Sequence, residues 1–213
     1  MNGTFMYASE IKSLLRHPDF VKELNAEALK PYMTFQYPAI GETFFKGVYK
    51  LPEGHYFTYR DGKMDIHRYY DEDFREGKQK LGELVNSIDQ TVCDSVKAHQ
   101  IADVEVGSFL SSGVDSSYVA AVARPQHTYS IGFGKGTYNE SQQAGELAEL
   151  LKLNNTAESL TDEEAFAAFP RIQWHLDEPD SNPSCVPLYF LSALAAKDVK
   201  VVLSGEGADE LFA

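Results

Sequence analysis

From Leu81 onward the apolar positions alternate between two periods. Leu81, Leu84, Val85, Ile88, Val92 and Val96 recur at helical spacing and predict one long amphipathic helix. Residues 104–110 form a short apolar run that reads as a buried strand, and residues 116–123 read as the helix after it. Residues 128–133 predict a second strand. Ala144, Leu147, Ala148 and Leu151 mark the next helix, and residues 156–160 suggest a third strand. Thr161-Asp162-Glu163-Glu164 is a capping-box pattern that starts another helix. Residues 187–197 are helical again, and residues 199–203 form an apolar, β-branched strand. Strands alternating with helices imply βαβ units, a parallel sheet and right-handed crossovers.

The earlier part of the chain reads differently. Residues 5–8 suggest a short strand, and residues 9–15 a short helix stopped by Pro18. Two aromatic-rich runs, 55–59 and 64–69, flank Arg60-Asp61-Gly62-Lys63, and Asp-Gly between such runs signals a hairpin. Residues 71–78 are charged and contain glycine, which marks a linker. The organisation expected is a β-rich region over 1–72 and an α/β region with a parallel sheet over 73–213.

Composition narrows the functional classes. A chain of 213 residues that is 43% hydrophobic and 12% aromatic can build a core. A net charge of −13 disfavours nucleic acid or an anionic membrane as partner. No apolar run reaches the roughly 18 residues that span a bilayer, and nothing resembles a signal peptide, so a cytoplasmic location is expected. Cys93 and Cys185 lack metal-ligand or disulfide spacing, and Cys93 suits a buried apolar role. The histidines are scattered, and the aromatic residues show no nucleic-acid stacking pattern.

Two loops carry the candidate chemistry. Ser111, Ser112 and Gly113 follow a predicted buried strand and precede a predicted helix. Small residues there let backbone N–H groups approach an anion, and the helix start adds partial positive charge. Ser111, Ser116 and Ser117 can donate hydroxyl hydrogen bonds to phosphate oxygens. Asp115 would repel a phosphate unless a cation lay between them, so it suits a Mg2+ ligand. It also suits a plain helix start, where acids are common. The Gly-Lys-Ser/Thr ending of a Walker loop is absent.

The second loop is Ser204-Gly205-Glu206-Gly207-Ala208-Asp209-Glu210, again after a predicted buried strand. Asp209 can supply a second carboxylate to the same Mg2+ ion. Glu206 can orient an incoming amine or take its proton. Gly205 and Gly207 let the backbone pass close to a nucleotide.

The first loop resembles the SGGxDS signature of the ATP-pyrophosphatase family, with Ser112 in place of the first glycine. Together with Leu176-Asp177-Glu178-Pro179 and the second loop, it is similar to the synthetase domain of glutamine-dependent asparagine synthetases. The resemblance implies a parallel-sheet ATP-pyrophosphatase fold, ATP and Mg2+ as cofactors, and aspartate with an ammonia donor as partners. It implies that Leu110, Ile131 and Gly205 line the nucleotide and that the backbone of residues 130–133, Gly132 included, meets the adenine. Ser204 belongs to the same set. Asp115 and Asp209 would hold Mg2+, and Glu206 would serve the acyl-adenylate step. Asp177 and Glu178 fit either a turn before Pro179 or the site, and Glu140 falls at an acidic position of the family.

Residues 5–14 and 48–55 resemble the later half of that family's N-terminal-nucleophile glutaminase domain. No cysteine stands near the start, so no glutaminase activity is expected. The chain looks like part of such a synthetase, and exposed faces of residues 1–70 are expected to pair with other copies. Two further readings stay open: a related amidotransferase or cyclase acting on another carboxylate, and a nucleotide-binding module without turnover.

Overall fold

The computed structural model describes residues 3–73, 77–133 and 140–212. The sequence positions 74–76 of the expected linker lie outside them, as does the side chain of Glu140. The chain divides into two compact units, residues 1–77 with 170–182 and residues 78–169 with 183–213.

In the first unit, helix α1 (Ile11–Leu14) is followed by a short 3-10 turn and helix α2 (Leu29–Phe35). Strands β1 (His55–Arg60) and β2 (Lys63–Arg68) form an antiparallel hairpin in which Arg60 faces Lys63. Asp61 and Gly62 between them both have positive φ, 51° and 76°. That is the turn whose twist matches paired strands, and it explains the Asp-Gly sequence. Residues 5–8 are not a strand. They are held by rings instead of a hydrogen-bond ladder: Phe5 stacks on Tyr59 with centroids 4.3 Å apart and meets Phe57 edge-on at 5.7 Å.

The second unit begins with helix α3 (Leu81–His99), then strand β3 (Val106–Phe109), helix α4 (Val114–Ala123) and strand β4 (His127–Phe133). Helix α5 (Glu140–Leu151), strand β5 (Asn154–Leu160), helix α6 (Asp162–Leu176), helix α7 (Cys185–Ala195), strand β6 (Val201–Leu203) and helix α8 (Ala208–Phe212) complete the order. Helix α6 runs across the unit division, which falls at Pro170 in its interior. Strands β3 to β6 form one parallel sheet in the order β5-β4-β3-β6, as the βαβ pattern predicts.

Helices cover this sheet through three small clusters. Leu110 packs with Ala120, Ala144 and Ala148. Tyr129 packs with Leu194, Ala195 and Val199. Val96 of α3 packs with Ala123 and Leu203. The α3 period is as the sequence predicts, but burial reaches only its later half: Leu81, Leu84 and Val85 stay exposed. Cys93 is half-buried, its sulfur 3.8 Å from the Tyr118 hydroxyl rather than in a purely apolar setting. Helix α6 starts with the expected reciprocal cap. The Glu164 N–H donates to Thr161 Oγ1 at 3.2 Å, and the Thr161 N–H donates to the Glu164 carboxylate at 2.9 Å.

The strand interiors hold polar residues with partners in place. Ser108, Thr128 and Ser130 are all buried. Thr128 donates to the Asn154 carbonyl at 3.0 Å and Ser130 to the Leu110 carbonyl at 2.7 Å. A buried hydroxyl without such an acceptor would cost stability. Among the described residues no helix is long and apolar enough to cross a membrane.

Candidate functional site

The two small-residue loops leave the sheet from neighbouring strands. β3 and β6 run parallel with Ser108 opposite Leu203, so both loops start from the same edge, at the carboxyl ends. The sheet grows from β3 through β4 to β5, and the chain then returns to place β6 on the other side of β3. The order of strands therefore reverses between β3 and β6. Open α/β sheets bind ligands in the crevice at such a point.

The first loop is organised by its own hydroxyls. Leu110 is anchored by its N–H, which donates to the Tyr129 carbonyl at 2.8 Å. The Ser111 and Ser116 hydroxyl oxygens are 2.7 Å apart. The Ser111 N–H donates to Ser116 Oγ at 3.1 Å, and the Gly113 N–H donates to Ser111 Oγ at 3.1 Å. Ser117 donates its hydroxyl to the Gly113 carbonyl. Gly113 caps α4 in extended conformation, and Ser112 does not adopt positive φ. Serine in the place of the signature's first glycine is therefore unstrained. The first N–H groups of α4 have no carbonyl one turn earlier to bond, which leaves them available to an anion. Asp115 lies in that first turn and is half-buried.

In the second loop the Glu206 N–H donates to Ser204 Oγ at 3.1 Å. Ser204, Glu206 and Asp209 are exposed, and Asp209 stands in the first turn of α8. Gly205 settles how the loops relate. A β-carbon on Gly205 would lie 2.5 Å from the Ser116 nitrogen and 2.7 Å from the Asp115 carbonyl carbon. The second loop thus rests directly on the start of α4.

Ile131 and Gly132 sit near the end of the adjacent strand β4. Ile131 packs its side chain toward Tyr129 and Leu194, and Gly132 is buried. Asp177 and Glu178 belong to the first unit and not to this loop pair. Their carboxylates accept backbone N–H groups there, Asp177 from Ile11 at 2.7 Å and Glu178 from Phe44 at 2.9 Å.

Two contacts that support the first loop escaped the sequence reading. The Ser130 hydroxyl ties β4 to the Leu110 carbonyl, and a polar residue inside an apolar strand was the available signal. Tyr118, one position past Ser117, donates its hydroxyl to Asp89 and so joins α4 to α3. That bond, aided by burial, raises the Tyr118 phenol well above its ordinary value. Nothing in the spacing of Asp89 and Tyr118 announces the pair.

Among the described residues no group of three or more His, Cys, Asp or Glu side chains could hold a metal ion. A cation shared by Asp115 and Asp209 would need phosphate oxygens to complete its shell. That is the habit of Mg2+, so this donor set fits it.

The family model for asparagine synthase matches residues 87–213, which include both loops. The chain belongs to the asparagine synthase family. A second family model, for a glutamine amidotransferase domain, matches residues 1–70. The chain is 39% identical to asparagine synthetase [glutamine-hydrolyzing] 1 of Bacillus subtilis (strain 168), over 100% of its own length and 34% of that protein. It is 38% identical to a putative asparagine synthetase [glutamine-hydrolyzing] of Mycobacterium tuberculosis (strain ATCC 25618 / H37Rv), over 99% of its length and 34% of that protein. It therefore spans about a third of the length of these relatives. An NMN synthetase structure from Francisella tularensis superposes with a TM-score of 0.42 at 21% identity, covering 63% of this chain and 58% of that one.

Proposed function

We propose that this chain carries the nucleotide site of an asparagine synthetase and, within the whole enzyme, takes part in converting aspartate to asparagine at the expense of ATP. The observation that carries this reading is the contact of Gly205 with Asp115 and Ser116, which joins the two acidic loops at the switch point of a parallel sheet.

Each residue has a role that its chemistry allows. The ATP phosphates rest on the N–H groups of Ser112 and the first turn of α4. The hydroxyls of Ser111, Ser116 and Ser117 redirect their protons to phosphate oxygens in place of their present bonds within the loop. The strand ends at Leu110, Ile131 and Gly132 present their backbone to the adenosine, and Ser204 and Gly205 let the second loop lie against the α-phosphate. Asp115 and Asp209 would hold Mg2+, which would supply positive charge to offset that of the pyrophosphate.

An oxygen of the aspartate side-chain carboxylate attacks the α-phosphorus. The bond from that phosphorus to the bridging oxygen breaks, and pyrophosphate leaves. Ammonia nitrogen then attacks the acyl carbon of the aspartyl-adenylate, and AMP leaves with the electron pair of the broken C–O bond. Glu206 takes the proton that the nitrogen sheds. Such chemistry fits a cytoplasmic enzyme, where ATP and aspartate are both available.

Calorimetric titration of ATP with and without Mg2+, on this chain and on Asp115→Asn, tests the site. Magnesium is expected to tighten binding about tenfold or more in the parent and much less in the variant. An equal effect in both would remove Asp115 from the metal site. No ATP binding by the parent would remove the nucleotide reading altogether.

A further inference from the structure

We propose that Asp177 and Glu178 form a clasp that holds the amidotransferase-type region to the synthase-type region independently of the peptide linker between them. The proposal rests on the two family matches and on geometry inside the first unit; it does not depend on the nucleotide reading.

The first unit is built from two separate pieces of chain, residues 1–77 and residues 170–182. The first piece holds the amidotransferase match and the second lies within the synthase match. The second piece is a strap: α6 leads into it, and Pro183 leads out toward α7. The strap is braced internally, because the Gln173 side chain donates to the Asp180 carbonyl at 3.0 Å and accepts the Asp180 N–H at 3.2 Å.

At its turn, Asp177 adopts positive φ (65°), a conformation that asparagine and aspartate tolerate better than most residues. Its carboxylate accepts the Ile11 N–H at 2.7 Å and the Lys12 N–H at 3.1 Å, and lies 2.9 Å from the Lys12 ammonium. Glu178 accepts the Phe44 N–H at 2.9 Å and pairs with the Lys50 ammonium. The two carboxylate side chains are only 12% and 9% exposed. Carboxylates so withdrawn from water are tolerable because backbone donors and ammonium groups replace the lost hydration. Every one of these partners belongs to residues 1–77, so each bond crosses from one family match to the other.

The test places a site-specific protease sequence within residues 71–78 of the full chain and cuts it there. The two fragments are expected to co-elute in gel filtration, and to separate at protein concentrations at least tenfold higher in the Asp177→Asn/Glu178→Gln background. Separation in the parent background, or equal co-elution in the double variant, overturns the proposal. Amide exchange on the uncut chains supplies the second readout. The Ile11, Lys12 and Phe44 amides should exchange at least tenfold faster in the double variant, while strand amides such as Tyr129 keep their protection. If the double variant loses strand protection as well, Glu178→Gln alone decides: faster exchange at Phe44 and not at Ile11 supports the clasp, and no change at Phe44 overturns it.

Discussion

Gly205 stands so close to Ser116 that a methyl group on its α-carbon would lie 2.5 Å from the Ser116 backbone nitrogen. No flexible side chain can move aside there, because the obstacle is the first turn of α4 itself. Gly205→Ala therefore forces the second loop off the first. Such overpacking costs about 1–3 kcal/mol, measurable by urea unfolding. Calorimetry should show ATP binding in the presence of Mg2+ weakened at least tenfold. Unchanged stability and unchanged binding together would mean that the loops need not touch.

A second prediction concerns the support beneath the first loop. The Ser130 hydroxyl is buried, donates to the Leu110 carbonyl at 2.7 Å and also reaches Asn155 Oδ1 at 3.1 Å. Ser130→Ala removes the donor and leaves the buried Leu110 carbonyl behind, which costs about 1–3 kcal/mol. Chemical denaturation checks the loss. Ser130→Thr restores the hydroxyl but adds a methyl to a packed strand, so it should recover only part of it.

The parallel sheet was legible because its strand runs are short and separated by helical periods. The hairpin was legible because Asp61 and Gly62 both had to take positive φ. The two loops were legible as strand-to-helix turns because small residues follow each apolar run, whereas their acids equally suit plain helix starts. What was illegible depends on partners far away in sequence. Residues 5–8 have the composition of a strand, yet Phe5 finds Tyr59 and Phe57 rather than a ladder partner. Asp177 and Glu178 fitted either a turn before Pro179 or the site, and their backbone partners at Ile11 and Phe44 lie more than a hundred residues upstream. The place of β6 beside β3, on which the meeting of the loops depends, is set by the return of the chain and by no local pattern.

The cap of α6 gives a third prediction. Thr161 Oγ1 accepts the Glu164 N–H, and the Glu164 carboxylate accepts both the N–H and the hydroxyl of Thr161. Thr161→Ala should cost about 0.5–2 kcal/mol by thermal or urea unfolding. The Thr161 backbone N–H and then its hydroxyl hold the Glu164 carboxyl below its ordinary value of 4.5. A depressed acid stabilises the fold above its unfolded value, and that contribution fades as pH drops through its lower, folded value. The difference between parent and Glu164→Gln should therefore shrink on acidification below about pH 4.5. A difference that stays constant down to pH 2 would remove the cap from the acid response.

At the alkaline end Tyr129 contributes. Its side chain is fully buried, and its hydroxyl donates to Asp198 at 3.3 Å. Burial first, and the Asp198 carboxylate second, push its phenol from the ordinary 10.0 up to about 12. Below pH 10 the phenol is neutral in both folded and unfolded chains, so its contribution is complete there. Between about pH 10 and 12 the unfolded chain loses the proton while the folded chain keeps it, and stability falls with rising pH. Tyr129→Phe should flatten that decline in urea-unfolding free energy measured from pH 9 to 12. Tyr118 is raised in the same direction, so the flattening is partial and deepens when Tyr118→Phe is added. At pH 7 the Tyr129→Phe change should cost only about 0.5–1.5 kcal/mol, because exposed Asp198 regains water when its phenol partner is gone. A variant that declines as steeply as the parent above pH 10 would show that Tyr129 ionises no later in the folded protein than in the unfolded chain.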